Sequence, residues 1–339
     1  MELEVEPRRL RFRAPLRTAY GILEERELLV VSVRDRDGVA GVGEAAPLAA
    51  YDGVRLDEAR AEVEACAELL AEGDAQAPPA LRAACRARCS LAPAAAALDV
   101  ALWDLEAHRA GRPLAELLGG AARGQVVVNA ALVDTDAAAA AGEAAAAAAA
   151  GFRCVKAKVG LDGDRERLDA VREAAGQSLA LRIDANGAWS VEEAVEALRE
   201  LAPAGIELCE EPTRGAAGIR AVRRALAGSV PVALDESARE PGALSLGAAD
   251  AVCLKVAGCG GVTGVLRDAA TARAAGADVY LASTYDGPVG IAAALHVAAA
   301  LGVARPCGLA TLGLFADLDD PLPPVGGVIH VPDRPGLGI

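Results

Sequence analysis

The chain of 339 residues has almost no lysine: of its 34 basic residues only Lys156, Lys158 and Lys255 are lysine, and the other 31 are arginine. Basic charge as a whole is short. Set against 48 acidic residues it leaves a net charge of −14, which argues against nucleic acid or an anionic membrane surface as a partner. There are three histidines, none of which closes a strand candidate, and asparagine occurs only at Asn129 and Asn186. No unbroken apolar run reaches the roughly 20 residues of a membrane span. The longest candidate, 137–150, is nearly all alanine and contains Gly142 and Glu143. The opening stretch MELEVEPRRLRFR alternates charge with single apolar residues and lacks the charged-then-apolar order of a secretory leader. A cytoplasmic location is expected.

What is present is enough to fold. With 53% hydrophobic and 24% charged residues the chain can bury a large core, so wholesale disorder is excluded. Its length suits one large α/β barrel or two domains. Eight cysteines occur, several inside apolar strand-like runs. Cys85 and Cys89 have helical spacing, but no second Cys/His pair nearby completes a zinc site, so buried free thiols are expected.

The first 50 residues read as strand and turn, with Glu27 to Arg34, the turn Asp35-Arg36-Asp37-Gly38, and a short strand from Val39 to Glu44. From Leu56 to Leu118 the pattern becomes helical. After Arg123, short apolar runs alternate with stretches of helical length. Strands are expected at Val126–Leu132, Cys154–Val159, Leu179–Asp184, Ile206–Cys209, Val232–Leu234, Ala251–Val256, Val279–Ser283 and Cys307–Thr311. Eight such units predict parallel β/α repeats closing into a barrel. The rival, an open doubly wound sheet, lacks a GxGxxG after its first strand. The alanine tract reads as a barrel helix. The Pro- and Gly-rich tail from Pro321 is too irregular for another unit and is expected to run back to the first domain. The predicted organisation is a capping α+β domain over 1–123, a barrel over 124–316 and a returning tail over 317–339.

In such a barrel the chemistry lies at the C-terminal strand ends. Successive ends carry Lys156 and Lys158, then Asp184, Glu210, Asp235 and Lys255. The steps from Lys158 are 26, 26, 25 and 20 residues, about one β/α unit each, so these side chains should ring one mouth. Three carboxylates on one rim repel unless a cation sits among them, and an all-oxygen set suits a hard divalent ion such as Mg²⁺. A substrate carboxylate coordinated there would have its neighbouring C–H acidified. A lysine on either side could then take or return the proton, provided its pKa falls; a neighbouring lysine and the metal should both lower it. Arginine cannot serve, because it does not deprotonate in proteins.

The stretches KAKVG (156–160), IDAN (183–186), EEP (210–212), LDES (234–237) and LKV (254–256), together with 97–120, make the chain resemble the muconate-lactonizing subgroup of the enolase superfamily. That resemblance implies a (β/α)7β barrel of the TIM type, capped by an α+β domain built from both chain ends. It implies Asp184, Glu210 and Asp235 as Mg²⁺ ligands, Lys158 and Lys255 as acid/base pair, and Lys156 tuning Lys158. A lysine base with a metal-stabilised enediolate is the known pattern of this superfamily.

The product depends on other residues. Dipeptide epimerases of this superfamily typically carry Asp-x-Asp at the eighth strand to hold the substrate ammonium, whereas Cys307-Gly308-Leu309-Ala310-Thr311 has no carboxylate. That stretch is similar to o-succinylbenzoate synthases, as are 15–21, 43–48 and 283–301. The resemblance implies dehydration of a succinyl hydroxycyclohexadiene carboxylate in menaquinone biosynthesis, with a racemase or epimerase of N-acyl amino acids or dipeptides as the alternative. A catalytically idle barrel that binds a metal or ligand is a third reading. The partner expected is a small-molecule carboxylate; self-association is left open. Tyr20 and Tyr51 fall in loops that fold over the substrate in this family. Ser283 and Thr284 precede a helix whose N–H groups could hold a second carboxylate. Asn129 and Asn186 are substrate-side candidates or plain strand-end hydrogen bonders.

Overall fold

The computed structural model describes residues 1–120 and 124–339. The expected boundary at residue 123 lies outside the described residues.

The N-terminal sheet is antiparallel, in the order β1 (Glu2–Thr18), β2 (Gly21–Arg34), β3 (Ala40–Ala45). The alternation of MELEVEPRRLRFR is thus that of a long strand, not only the absence of a leader pattern. β1 pairs along nearly its whole length with β2 and turns at Ala19-Tyr20. Residues of β2 alternate between faces. Leu28 packs toward the barrel, while Leu29, Val31 and Val33 join Val63, Leu70, Leu98 and Leu105 beneath the helical layer. The helix Ala92–Ala110 lies directly on β3, and glycine makes that approach possible. A Cβ at Gly43 would stand 1.9 Å from the Ala97 oxygen, and one at Gly41 would stand 2.2 Å from that of Ala101.

The remaining strands are β4 (Gln125–Val127), β5 (Ala130–Leu132), β6 (Cys154–Lys158), β7 (Ala180–Asp184), β8 (Ile206–Glu210), β9 (Val232–Leu234), β10 (Ala251–Leu254), β11 (Asp278–Leu281) and β12 (Val328–His330). Seven of them, β5 to β11, form one parallel sheet in sequence order. The expected eighth strand is reduced to Cys307-Gly308. Cys307 bridges to Val128 and Gly308 to Ala282, so these two residues join the sheet's ends. The expected strand Val126–Leu132 is divided, because β4 turns away to pair with β12 while β5 enters the barrel sheet. Between β9 and β10 the crossover contains two short 3-10 turns, Glu236–Arg239 and Ala243–Ser245, in place of an α-helix. This is the step of 20 residues, the shortest of the four. The alanine tract does form a helix, Ala137–Ala149, capped by Asp136 and burying Ala140, Ala144 and Ala147.

The tail returns toward the helix Ala92–Ala110. Leu337 N–H donates to Asp104 at 2.6 Å, and Gly336 exchanges backbone hydrogen bonds with Arg112 and Leu114. Among the described residues no helix is long and apolar enough to cross a membrane.

Candidate active site

Parallel register assembles the site. Lys158 is level with Asp184 and Asp184 with Glu210, and Asp235 directly follows β9. Alternate strand residues share a face, so Lys156 and Lys158 both reach Asp184. Lys158 Nζ lies 2.6 Å from Asp184 Oδ2, and Lys156 Nζ lies 2.9 Å from that oxygen while also bonding Glu210. Across the mouth Lys255 bonds Asp235 and stands 3.0 Å from the Tyr51 hydroxyl. Asp184, Glu210 and Asp235 are all buried.

The expected fall in lysine pKa is not what these residues produce by themselves. Burial would lower the Lys156 ammonium, but Asp184, Glu210 and Asp235 outweigh it and hold it well above the ordinary range. Lys255 behaves alike, with Asp235 the main opposing charge. The same carboxylates are therefore the lysines' counter-charges. Asp184 is correspondingly held below the usual carboxylate range: burial pushes it up, and Lys156 and Lys158 more than reverse that.

A path of hydrogen bonds and one ring contact joins the two flanking lysines. Lys158 bonds Asn186 Oδ1, and Asn186 Nδ2 donates to Glu236 at 3.0 Å. The Tyr20 hydroxyl, at the tip of the β1–β2 hairpin, donates to the same Glu236 oxygen at 2.5 Å. The Tyr20 ring meets Tyr51 edge-on at 5.4 Å, and Tyr51 reaches Lys255. Tyr20, Tyr51 and Asn186 thus all lie at the mouth. Asn129 does not join them: it is buried near Gly308, and its Oδ1 has no partner among the described residues. Ser283 Oγ pairs with Thr311 Oγ1 at 3.1 Å, while Thr284 is spent on Asp286. The start of the helix Pro288–Ala300 is not left open for a ligand. Glu44 of β3 accepts the Gly287 N–H at 2.7 Å.

Four residues escaped the sequence reading. Arg182, fully buried beneath the site, stacks on the Tyr280 ring at 4.3 Å and lies 3.6 Å from Glu210 Oε1. Glu236 links Tyr20 to Asn186, although the LDES motif already contained it. Glu44 ties the N-terminal sheet to the barrel. Tyr285 adopts φ +60°, a left-handed backbone that a bulky residue rarely takes, and its ring packs edge-on against Phe12 at 5.6 Å. The charges that its phenol senses are Lys156, Asp184 and Lys255. The signal that was available for it was an aromatic two residues beyond Ser283, in a chain with only 3% aromatic residues.

The donor set fits a hard cation. Glu210, Asp235 and Cys253 offer ligand atoms within 4.8 Å of one another, the one such group of three among the described residues. Burial, with Asp235 and Glu210 beside it, holds the Cys253 thiol well above its ordinary pKa, which favours the two carboxylates over it as ligands. Two carboxylates of that group remain; Asp184, joined to Glu210 through Lys156, is the third buried carboxylate on the rim but lies outside the group, and oxygen ligands of this kind suit Mg²⁺.

Family models match along most of the chain: "Mandelate racemase / muconate lactonizing enzyme, N-terminal domain" over residues 1–119 and "Enolase C-terminal domain-like" over 139–339. A hydrophobic dipeptide epimerase of Roseobacter litoralis is 33% identical, the alignment covering 100% of this chain and 98% of that one. An o-succinylbenzoate synthase of Thermobifida fusca is 41% identical over 54% of this chain and 60% of its own. The crystal structure of a dipeptide epimerase from Enterococcus faecalis, complexed with Mg and the dipeptide L-Leu-L-Tyr, superposes with a TM-score of 0.90 at 25% identity. That match covers 99% of this chain and 98% of the other.

Proposed function

Because the chain belongs to the enolase superfamily, we propose that it moves the proton α to a substrate carboxylate, as a racemase or epimerase of an N-acyl amino acid or dipeptide. The observation that carries this is the placement of Lys158 and Lys255 on opposite flanks of Asp184, Glu210 and Asp235. Inversion at one carbon needs a base on one face and an acid on the other. Two titratable amines facing across a single site meet that need, and the similarity to dipeptide epimerases over the full chain agrees with it.

Asp184, Glu210 and Asp235 are the residues to hold Mg²⁺. When bound, the ion would supply positive charge to the substrate carboxylate and so ease loss of the α-proton. The protein's own part is positioning and proton transfer. Lys158 Nζ, fixed by Asp184 and Asn186, takes the proton from one face; Lys255 Nζ, fixed by Asp235 and Tyr51, returns one to the other. Arg182 steadies Glu210 from below. Tyr20, Tyr51 and Tyr285 shield the mouth from water.

A second reading is favoured by one specific feature. The closing segment Cys307–Thr311 presents the Thr311 hydroxyl, paired with Ser283, and no carboxylate. A free substrate ammonium would have no counter-charge from that segment, which favours an acylated amine or a substrate with no amine. Dehydration to o-succinylbenzoate meets this condition, and the similarity to the Thermobifida fusca enzyme supports it.

The deciding experiment incubates the protein and Mg²⁺ in D₂O with dipeptides, N-acyl amino acids and the cyclohexadiene carboxylate. Exchange at the α-carbon is followed by NMR and aromatic product by absorbance. Exchange with inversion supports the racemase or epimerase; aromatic product without amino-acid exchange supports the dehydratase. Neither signal with any substrate would sink proton abstraction as the function.

A further inference from the structure

Cys66, Cys85 and Cys89 converge beneath the N-terminal sheet, apart from the barrel chemistry. All three are buried, in the cluster that also holds Val63 and Leu70. The sulfurs of Cys66 and Cys89 are 3.9 Å apart, in van der Waals contact, and the Cys85 thiol also faces Cys66. One thiol thus meets two others, carried one turn apart at the end of a single helix.

The backbone gives two of the three room to approach. Cys66 sits in the break between the helices Leu56–Glu64 and Ala67–Ala71. Cys89 terminates the helix Pro78–Arg88 in extended conformation, φ −96° and ψ 126°. Helix ends adjust more readily than helix interiors, and closing a bond of about 2 Å requires such adjustment. Cys85 lies inside the helix and is the less mobile partner. Hydrogen bonds from Cys85 and Cys89 favour the Cys66 thiolate against its burial, with Arg88 adding to the effect.

We propose that Cys66 and Cys89 form an oxidation-dependent disulfide, with Cys85 as the alternative partner of Cys66. The oxidant class is a small disulfide such as oxidised glutathione. The Cys66 thiolate attacks one of its sulfurs, forming a mixed disulfide and releasing one glutathione thiol. The Cys89 thiol then gives up its proton as it attacks the Cys66 sulfur, and the second glutathione thiol is released. Two protein thiols are oxidised to one S–S bond, one disulfide is reduced to two thiols, and the two protein protons leave with them.

The cross-link would bear on the site through the chain that follows Cys89. Ser90, Leu91, Ala92 and Pro93 line a cavity of about 240 Å³ together with Tyr51 and Lys255. Glu62 already grips this segment, bonding the Ser90 hydroxyl and accepting the Leu91 N–H at 2.8 Å. A Cys66–Cys89 bond would fasten the same wall covalently to the turn that follows the helix of Glu62.

The test treats the full-length protein with oxidised glutathione, alkylates the remaining thiols and maps peptides by mass spectrometry. The expected result is a Cys66–Cys89 cross-link, with free thiols falling from eight to six and returning to eight on reduction. Cys89→Ser should move the link to Cys66–Cys85 and slow its formation; Cys66→Ser should keep all seven of its thiols. Wild-type protein in which Cys66 stays alkylatable while the half-exposed Cys259 acquires glutathione would overturn the proposal. The wild-type map decides even if Cys66→Ser fails to fold.

Discussion

Lys158 and Asp184 are exact register partners on adjacent parallel strands, and their charged groups meet at 2.6 Å although 26 residues separate them. Each β/α unit returns the chain to the same rim, so residues one repeat apart become neighbours across the sheet. Lys158→Arg keeps a cation opposite Asp184 and removes the amine that can deprotonate. Activity, followed as α-proton exchange by NMR, should fall by about 10²- to 10⁴-fold with an unchanged thermal midpoint. Exchange retained near the native rate would remove Lys158 as a base.

Asp235→Asn should weaken Mg²⁺ binding by more than about 100-fold in calorimetric titration, since even supporting residues of metal sites are worth 10- to 100-fold. This readout needs no substrate. Unchanged binding would mean that Asp235 serves only Lys255.

Tyr285 holds a backbone conformation that costs about 1–3 kcal/mol, a strain that clusters at active sites, ligand clamps and switch regions. Tyr285→Phe preserves the ring contact with Phe12 and deletes only the hydroxyl. The thermal midpoint should stay put while KM rises about tenfold and kcat changes little, the scale of one hydrogen bond to substrate. If KM is also unchanged, the phenol takes no part in binding.

His296 is buried; its Nδ1 accepts the Ala115 N–H at 3.0 Å and its Nε2 faces the Leu337 oxygen at 3.1 Å. Burial lowers its pKa to about 4, against the backbone bond to Leu337. Between about pH 6.5 and 4 the unfolded chain binds a proton that the folded chain refuses. This contribution to stability is therefore present above 6.5 and lost as pH falls toward 4, by up to about 3 kcal/mol. Urea unfolding across that range should show the loss in the native protein. In His296→Leu, less stable overall, that part of the slope should vanish; identical slopes would exclude His296 as its source.

Gly43→Ala places a methyl where the Ala97 oxygen already stands. The helix Ala92–Ala110 must move off β3, and a loss of about 1–3 kcal/mol is expected, measurable as a lower denaturant midpoint. A midpoint equal to the native one would show that the contact is looser than the structure has it.

The order of strands and the row of charged residues were legible in the sequence because both are local and periodic. A strand of five residues ends, a polar side chain follows, and the pattern repeats at nearly constant spacing. The lysine shortage sharpened this: the only three residues with a titratable amine side chain fall on that row. Three carboxylates on successive strand ends pointed to an oxygen-ligated divalent cation for the same reason, whereas the Cys253 thiol beside Glu210 and Asp235 emerged only in the structure. The long β1 was harder to see because its alternating face is half charged.

What the sequence by itself determined is therefore which groups meet at the barrel mouth, since repeat spacing alone brings Lys158, Asp184, Glu210, Asp235 and Lys255 to one rim. Only the tertiary structure decided what surrounds them. Tyr20 reaches Glu236 across 216 residues and Glu44 reaches Gly287 across 243. Those contacts depend on how the N-terminal sheet seats on the barrel, a packing of two surfaces that no local period encodes. The charge state of the lysines was decided there too. A residue's type sets its ordinary pKa, but Asp184, Glu210 and Asp235 outweigh burial at Lys156 and raise it, opposite to the fall expected of a lysine beside another lysine, and at Lys255 Asp235 is the main charge opposing burial.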